Sequence, residues 1–338
     1  MTKSSLLTVA LGSGVALLAA CSSNGLSGSP SALSSTTQVQ TQSGLSDLAR
    51  PGITPPFLSS LHVAIQAKPA TTGVPAELNV ADRGLNEVLE FNNTYKSTGT
   101  ISDSGPDGDW IDTNDNLYVT NFSRGNVTVN EYNKADALIF TYSNGLTEPV
   151  DVTTDTKGNV IVANLNGNHE HVGTVVVYPQ GKNTASVTCN TGLANYGVAV
   201  DSKGDLFVTG YSSGSGKIIE YKGGLTSPCS ATTLAPTLIS PGGIQVDKKD
   251  DLVVCDQQSG VDIIPPPYTS IRKRITVSGG SDYHHNALTG DNKLLFIADP
   301  NAAAVDVVDY PSGTLVKQLN SSNGLKSPFG VATYPFAK

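Results

Sequence analysis

Four of the five histidines in this 338-residue sequence fall in two short polar runs, His169 and His171 in Asn164–His171 and His284 and His285 in Gly280–Asn286. Imidazoles grouped in this way ligate divalent metals or carry protons near neutral pH. The only tryptophan, Trp110, stands beside Asp107 and Asp109, an apolar ring next to carboxylates. A third set recurs along the chain, with Asp82, Asn121, Asn164, Gly210, Asp256 and Asp299 each closing a short apolar run. Asp112–Asn116 has the start of a calcium loop. However, Leu117 stands where that loop needs glycine and no Glu follows at its twelfth place, so it reads as a hairpin turn. The sequence contains no Gly-x-Ser-x-Gly elbow, no phosphate-binding loop and no Cys-x-x-Cys pair.

What must position these residues is a repeat. Asp109–Val119, Val152–Val162, Val198–Val208, Ile244–Val254 and Ala287–Ile297 read alike, each as two apolar strands joined by an Asp/Gly/Asn/Lys turn. Their turn residues Asp112, Asp155, Asp201, Asp247 and Gly290 are spaced by 43, 46, 46 and 43 positions. A third strand follows, often ending in an aromatic residue such as Phe91, Tyr132, Tyr178, Tyr221 or Tyr310, and then a weaker fourth. Four antiparallel strands in about 44 residues make one blade of a β-propeller. Leu78–Asp82 matches a second strand without a first, and Phe329–Thr333 a first strand without a second. One blade is therefore shared between the two ends of the chain. Residues 71–338 thus form an all-β, six-bladed propeller closed by its N- and C-terminal strands.

On that map the loops from second to third strand, and from fourth strand to the next blade, open on one face, the top. His169 and His171 lie in a top loop of blade 3, and His284 and His285 in the linker entering blade 6, near the central opening. Trp110 starts the first strand of blade 2, and the Asp/Asn set ends the second strands as a polar ring. Asp and Asn at strand ends also cap turns, and a residue repeated in every blade answers a need that every blade shares.

Composition agrees with this architecture. There are 22 Asp against 7 Glu, 34 Gly and 19 Pro, which favours turns over helices. A net charge of −8 excludes a general nucleic-acid binder, since nothing would neutralise a run of phosphates. Four cysteines are too few for a disulfide-built scaffold. Cys255 takes the place of Ala81, Thr120, Ala163, Thr209 and Ala298 in the other blades and reads as a small buried thiol. Cys189 and Cys229 fall in the outer parts of blades 3 and 4, where a disulfide is open to them in an oxidising compartment.

Before the propeller, Lys3 and the apolar stretch Leu6–Leu18 form a signal segment over residues 1–20, too short to span a bilayer. Leu18–Cys21 resembles the bacterial lipobox, which implies diacylglycerol modification and N-acylation of Cys21. Two or three acyl chains anchor stably. Ser22 differs from the Asp that marks inner-membrane retention, so the implied address is a cell-envelope lipoprotein, at the outer membrane where the organism has one. Residues 21–70, rich in Ser, Thr, Gln and Pro, form a tether.

Gly197–Val208 and Val80–Asp82 resemble NHL-type repeats, within the six-bladed group that includes the SMP-30/gluconolactonase-like proteins. The resemblance covers residues 71–338 and implies the fold, on which enzymes, binding modules and scaffolds are all built. An SMP-30-like metal site would draw a Glu and several Asn/Asp ligands from first-strand ends. Here Asp109 or Asp112, Asp151 and Asn286 are on offer, but Phe329–Gly330 stands where the Glu would be. We therefore expect a membrane-tethered, monomeric propeller that binds a small ligand or an envelope protein through its top face without covalent chemistry and without a cofactor. The binding residues would be Asp82, Trp110, Asn121, Asn164, Asp256, His284, His285 and Asp299. The alternative is a lactonase or lyase using a divalent metal near His284 and His285, and a third course is a scaffold that binds protein on its outer strands.

Overall fold

The computed structural model describes residues 78–123, 125–167 and 172–334. The signal segment, the tether, Cys21, His169 and His171 lie outside the described residues. Within them stand six four-stranded antiparallel sheets and a single 3-10 turn, Ser321–Asn323. The innermost strands of the blades, in order, are Pro328–Thr333, Pro106–Ile111, Pro149–Thr154, Ala194–Val200, Pro241–Val246 and His285–Leu288. Each packs on the next, and the last packs on the first, so the ring is closed. Blade 1 is joined as the repeat implies, with Pro328–Thr333 pairing antiparallel to Leu78–Asp82. A chain end zipped into a sheet in this way cannot peel off without breaking the ring.

Six hydrophobic clusters hold the blades together, one at each interface. Strand periodicity explains them, because successive side chains point to opposite faces of a sheet. In blade 1, Val80, Leu89 and Phe91 pack toward blade 6, whereas Val88 and Ile101 pack toward blade 2. Both faces are buried, and the strands read as continuous apolar runs. Cys189 and Cys229 are bonded and tie blade 3 to blade 4, and Cys255 is a free, buried thiol.

The strand-end ring has a structural use. Asp82, Asn121, Asn164 and Asp256 lie directly across from Pro328, Pro106, Pro149 and Pro241, the prolines that open the first strands. Proline offers no N–H to the ladder, and each pair sits beside a bulge. The opposing side chain instead collects N–H groups of the linker. Asp82 accepts from Lys326 and Ser327 N–H at 2.7 and 3.0 Å. Asp256 accepts from Ile239 and Ser240 N–H at 2.9 and 2.8 Å. Asn164 accepts from Thr147 N–H at 3.1 Å, and Asp299 from Ser281 N–H at 2.6 Å. Asn121 donates to Thr128 Oγ1 at 3.4 Å.

Candidate functional site

The first strands carry an ionisable cluster into the top of the ring: Asp107 and Asp109 from blade 2, Asp151 from blade 3, and His284 and His285 at the entry to blade 6. His285 Nε2 lies 3.0 Å from Asp151 Oδ1. Blades 3 and 6 are opposite members of a ring of six, so this contact crosses the axis. Asp151 Oδ1 also accepts from Val152 N–H at 2.8 Å, and Oδ2 from the blade-4 Val198 N–H at 2.8 Å. Glycines make the room. A Cβ at Gly243 would overlap the His285 ring, one at Gly330 would come within 2.6 Å of Asp109 Oδ1, and one at Gly108 within 2.9 Å of Asp151 Oδ1.

Burial sets the protonation of this cluster. Asp107, Asp109, Asp151 and His285 are exposed by no more than 3 %. Burial pushes the Asp107 carboxyl up to about 7, against the opposing pull of Arg83 and His285. Burial, with the charges of Asp151 and Asp107, lifts Asp109 well above the carboxylate range, and neither of its oxygens has a hydrogen-bond partner. At His285 burial opposes the charge, but the carboxylates of Asp151, Asp109 and Asp107 outweigh it and raise the imidazole. His284 goes the other way. Burial and the neighbouring His285 lower it to about 4, so it is neutral at physiological pH. Its Nδ1 lies 3.1 Å from the Phe329 carbonyl, which only accepts, so the proton sits on Nδ1.

Above this sealed floor is a half-buried rim. Arg83, in the loop after Asp82, donates to the Phe122 carbonyl at 3.1 Å and lies 3.4 Å from Asp107. Its guanidinium carbon is 5.1 Å from the Phe329 ring centre and 5.5 Å from that of Phe122, within cation–π range. The His284 ring meets Phe329 edge-on at 4.5 Å. The rim therefore presents one planar cation, two phenyl rings and one neutral imidazole.

Of the sequence-derived residues, His284 and His285 do lie at the top centre. Asp82, Asn121, Asn164, Asp256 and Asp299 are engaged by the linkers and strands described above. Trp110 stands elsewhere. The strand it was expected to open begins at Pro106, so Trp110 is near its far end and lines a cavity on the opposite face, where its indole N–H donates to Thr154 Oγ1 at 2.9 Å. Sequence reasoning missed Arg83, Phe122 and the site role of Asp107 and Phe329. The available signals were Arg83 immediately after a strand-end Asp and Phe329 immediately after a strand-opening Pro.

Of the residues that an SMP-30-like metal would need, Asp109 and Asp151 share the axial cluster, but Asn286 and Asp112 do not join them. Asn286 donates to Gly243 O, Val253 O and Cys255 Sγ in blade 5, and Asp112 lies in a hairpin on the opposite face, its carboxylate accepting from Asn114 and Asn116 N–H. His285 and Asp151 are engaged with each other. Among the described residues no three His, Cys, Asp or Glu side chains are grouped to hold a metal ion.

The fold is a six-bladed β-propeller with an ionisable cluster at its axis. The sequence matches no protein-family model, and no curated protein matches it. Among solved structures it is similar to a chain of a nidogen/laminin complex (TM-score 0.60, 16% identity, 76% of this chain and 97% of that one). It is also similar to a protein of unknown function from Bacteroides caccae (TM-score 0.58, 15% identity, 76% and 98%). A gluconolactonase from Xanthomonas campestris is a third (TM-score 0.52, 14% identity, 70% and 96%). At such identities the likeness is one of fold.

Proposed function

We propose that this protein is a non-catalytic, envelope-anchored binding module that captures a planar anionic ligand on its top rim. One observation carries this reading. The carboxyls with acid–base potential are buried, with Asp151 bonded to His285 and Asp107 paired with Arg83, whereas the groups open to a ligand are Arg83, Phe122, Phe329 and the neutral His284. A guanidinium flanked by phenyl rings is pre-organised for a carboxylate or phosphate joined to an apolar body. Of the buried carboxyls beneath the rim, Asp107 is paired with Arg83 and Asp109 is raised well above its ordinary range, and both features weaken their opposition to such a ligand.

The anchor rests on the Leu18–Cys21 run. Labelling with a palmitate analogue tests the anchor: the wild type takes up label and sediments with membranes, and Cys21→Ala does neither.

Ligand-observed NMR on the full chain tests the site, with benzoate and phenyl phosphate as probes. Saturable binding is expected, lost in Arg83→Gln and Phe329→Ala and kept in Trp110→Phe. Glucono-1,5-lactone with added Mn²⁺, Ca²⁺ or Zn²⁺ is expected to hydrolyse at the background rate. Turnover that disappears in Asp109→Asn would establish the enzyme instead.

A further inference from the structure

The face opposite the rim holds a cavity of about 690 Å³ at the mouth of the ring, well within the size range of small-molecule sites. It exists because the first strands end there in small residues, such as Ala287, Ala332 and Thr333, while the hairpin turns of blades 2, 3, 5 and 6 stand around it as a collar. Trp110 lines one wall, and its N–H is fixed on Thr154 Oγ1 at 2.9 Å, so the ring is held in place as a surface.

The collar carries its own charge pattern. The turn carboxylates are already engaged: Asp112 accepts from Asn114 and Asn116 N–H, Asp155 from Lys157 and Asn159 N–H, and Asp247 from Lys249 and Asp251 N–H and from the Tyr310 hydroxyl. Lys157 and Lys248 are different. Both line the cavity, both are exposed, and neither has an ion-pair partner among the described residues. The side-chain amide of Gln245, also in the lining, likewise has no hydrogen-bond partner there. A fixed aromatic ring, an unpartnered amide, hydroxyls and two lysines without ion-pair partners line one cavity with room for a sugar ring. An indole offers an apolar surface to the C–H face of a pyranose, the amide and hydroxyls match ring hydroxyls, and the lysines match a carboxylate.

The geometry points to a second binding site on this face, for a monosaccharide-sized ring that carries a carboxylate. It is independent of the rim proposed above, since no residue is shared between them.

Trp110 is the only tryptophan of the chain, so intrinsic fluorescence of the intact protein reports on this cavity directly. The probes are D-glucuronate, D-glucose and inorganic phosphate. Glucuronate is expected to change the Trp110 emission saturably, to bind more tightly than glucose, and to be displaced poorly by phosphate. Lys157→Gln and Lys248→Gln are each expected to weaken glucuronate by roughly fivefold, as for an exposed ion pair. Both should leave the unliganded emission unchanged. Gln245→Ala should weaken glucuronate and glucose alike. Absence of a saturable glucuronate response in the wild type, equal binding of phosphate, or unchanged affinity in both lysine variants would overturn the proposal. Arg83→Gln should leave this titration unaltered, so failure at one site is distinguishable from failure at the other.

Discussion

Replacing Asp151 by Asn is the sharpest perturbation of the axis. The change preserves shape, but the carboxylate accepts at both oxygens: Oδ1 from Val152 N–H and the His285 imidazole, Oδ2 from Val198 N–H. An amide has one oxygen and one NH₂, so either orientation sets a donor against a donor. The better orientation keeps the oxygen at the Oδ1 position. It strands the Val198 N–H and removes the countercharge from a buried imidazole. Breaking one side of a buried charge pair costs about 3–5 kcal/mol, and the stranded N–H falls partly within that figure. For a domain of this size about 4 kcal/mol lowers Tm by about 10 °C. Circular-dichroism melts at pH 6.5 of wild type, Asp151→Asn, His285→Ala and the double variant measure it. Because the two side chains act as one unit, the double variant should lose about 2 kcal/mol less than the sum of the singles. A fall of under about 2 °C for Asp151→Asn, a small fraction of the scale above, or strict additivity would refute the cross-axis bond.

Stability should also depend on pH with a definite sign. Asp107, raised from 3.8 to about 7, and Asp109, raised well above its ordinary value, hold protons in the folded state that the unfolded chain has released. Their contribution is fully present at low pH and is lost as pH rises above about 4. His284, lowered to about 4, acts oppositely between pH 4 and 6.5, and the raised His285 adds to the loss above 6.5. The urea midpoint should be lower at pH 8 than at pH 5, and Asp107→Asn should narrow that gap. Reduction of the Cys189–Cys229 bond, which closes 40 residues, should cost about 4 kcal/mol on a chain-entropy basis and lower Tm under dithiothreitol. Gly243→Ala should destabilise by about 1–3 kcal/mol in a denaturant titration, since the added methyl displaces the His285 ring.

Much of this molecule is written locally. Spacing of 43 to 46 residues between Asp112, Asp155, Asp201, Asp247 and Gly290 fixes the blade, and the unmatched strands at Leu78 and Phe329 imply the closed ring. Trp110 shows where local reading stops. Apolar character begins at Asp109–Trp110, but the strand begins three residues earlier at a proline followed by a bulge, which moves Trp110 toward the other face. The strand-end Asp and Asn residues were visible as a ring, and their use became clear only opposite Pro106, Pro149, Pro241 and Pro328. Arg83 and Phe329 are 246 positions apart and meet only because the ring closes. The Asp151–His285 pair spans the ring itself, and no periodicity along the chain encodes a contact between opposite blades.

The central claim is that His285 is sealed at the axis and committed to Asp151, while His284 stands neutral at the rim. Long-range ¹H–¹⁵N NMR of the histidine rings as a function of pH tests it most directly. His284 is expected to stay neutral, with its proton on Nδ1, until about pH 4, and His285 to remain an imidazolium above its ordinary 6.5, a shift abolished by Asp151→Asn. Two ordinary titrations near pH 6.5, indifferent to Asp151, would show an open axis whose imidazoles are free for chemistry, and would contradict it.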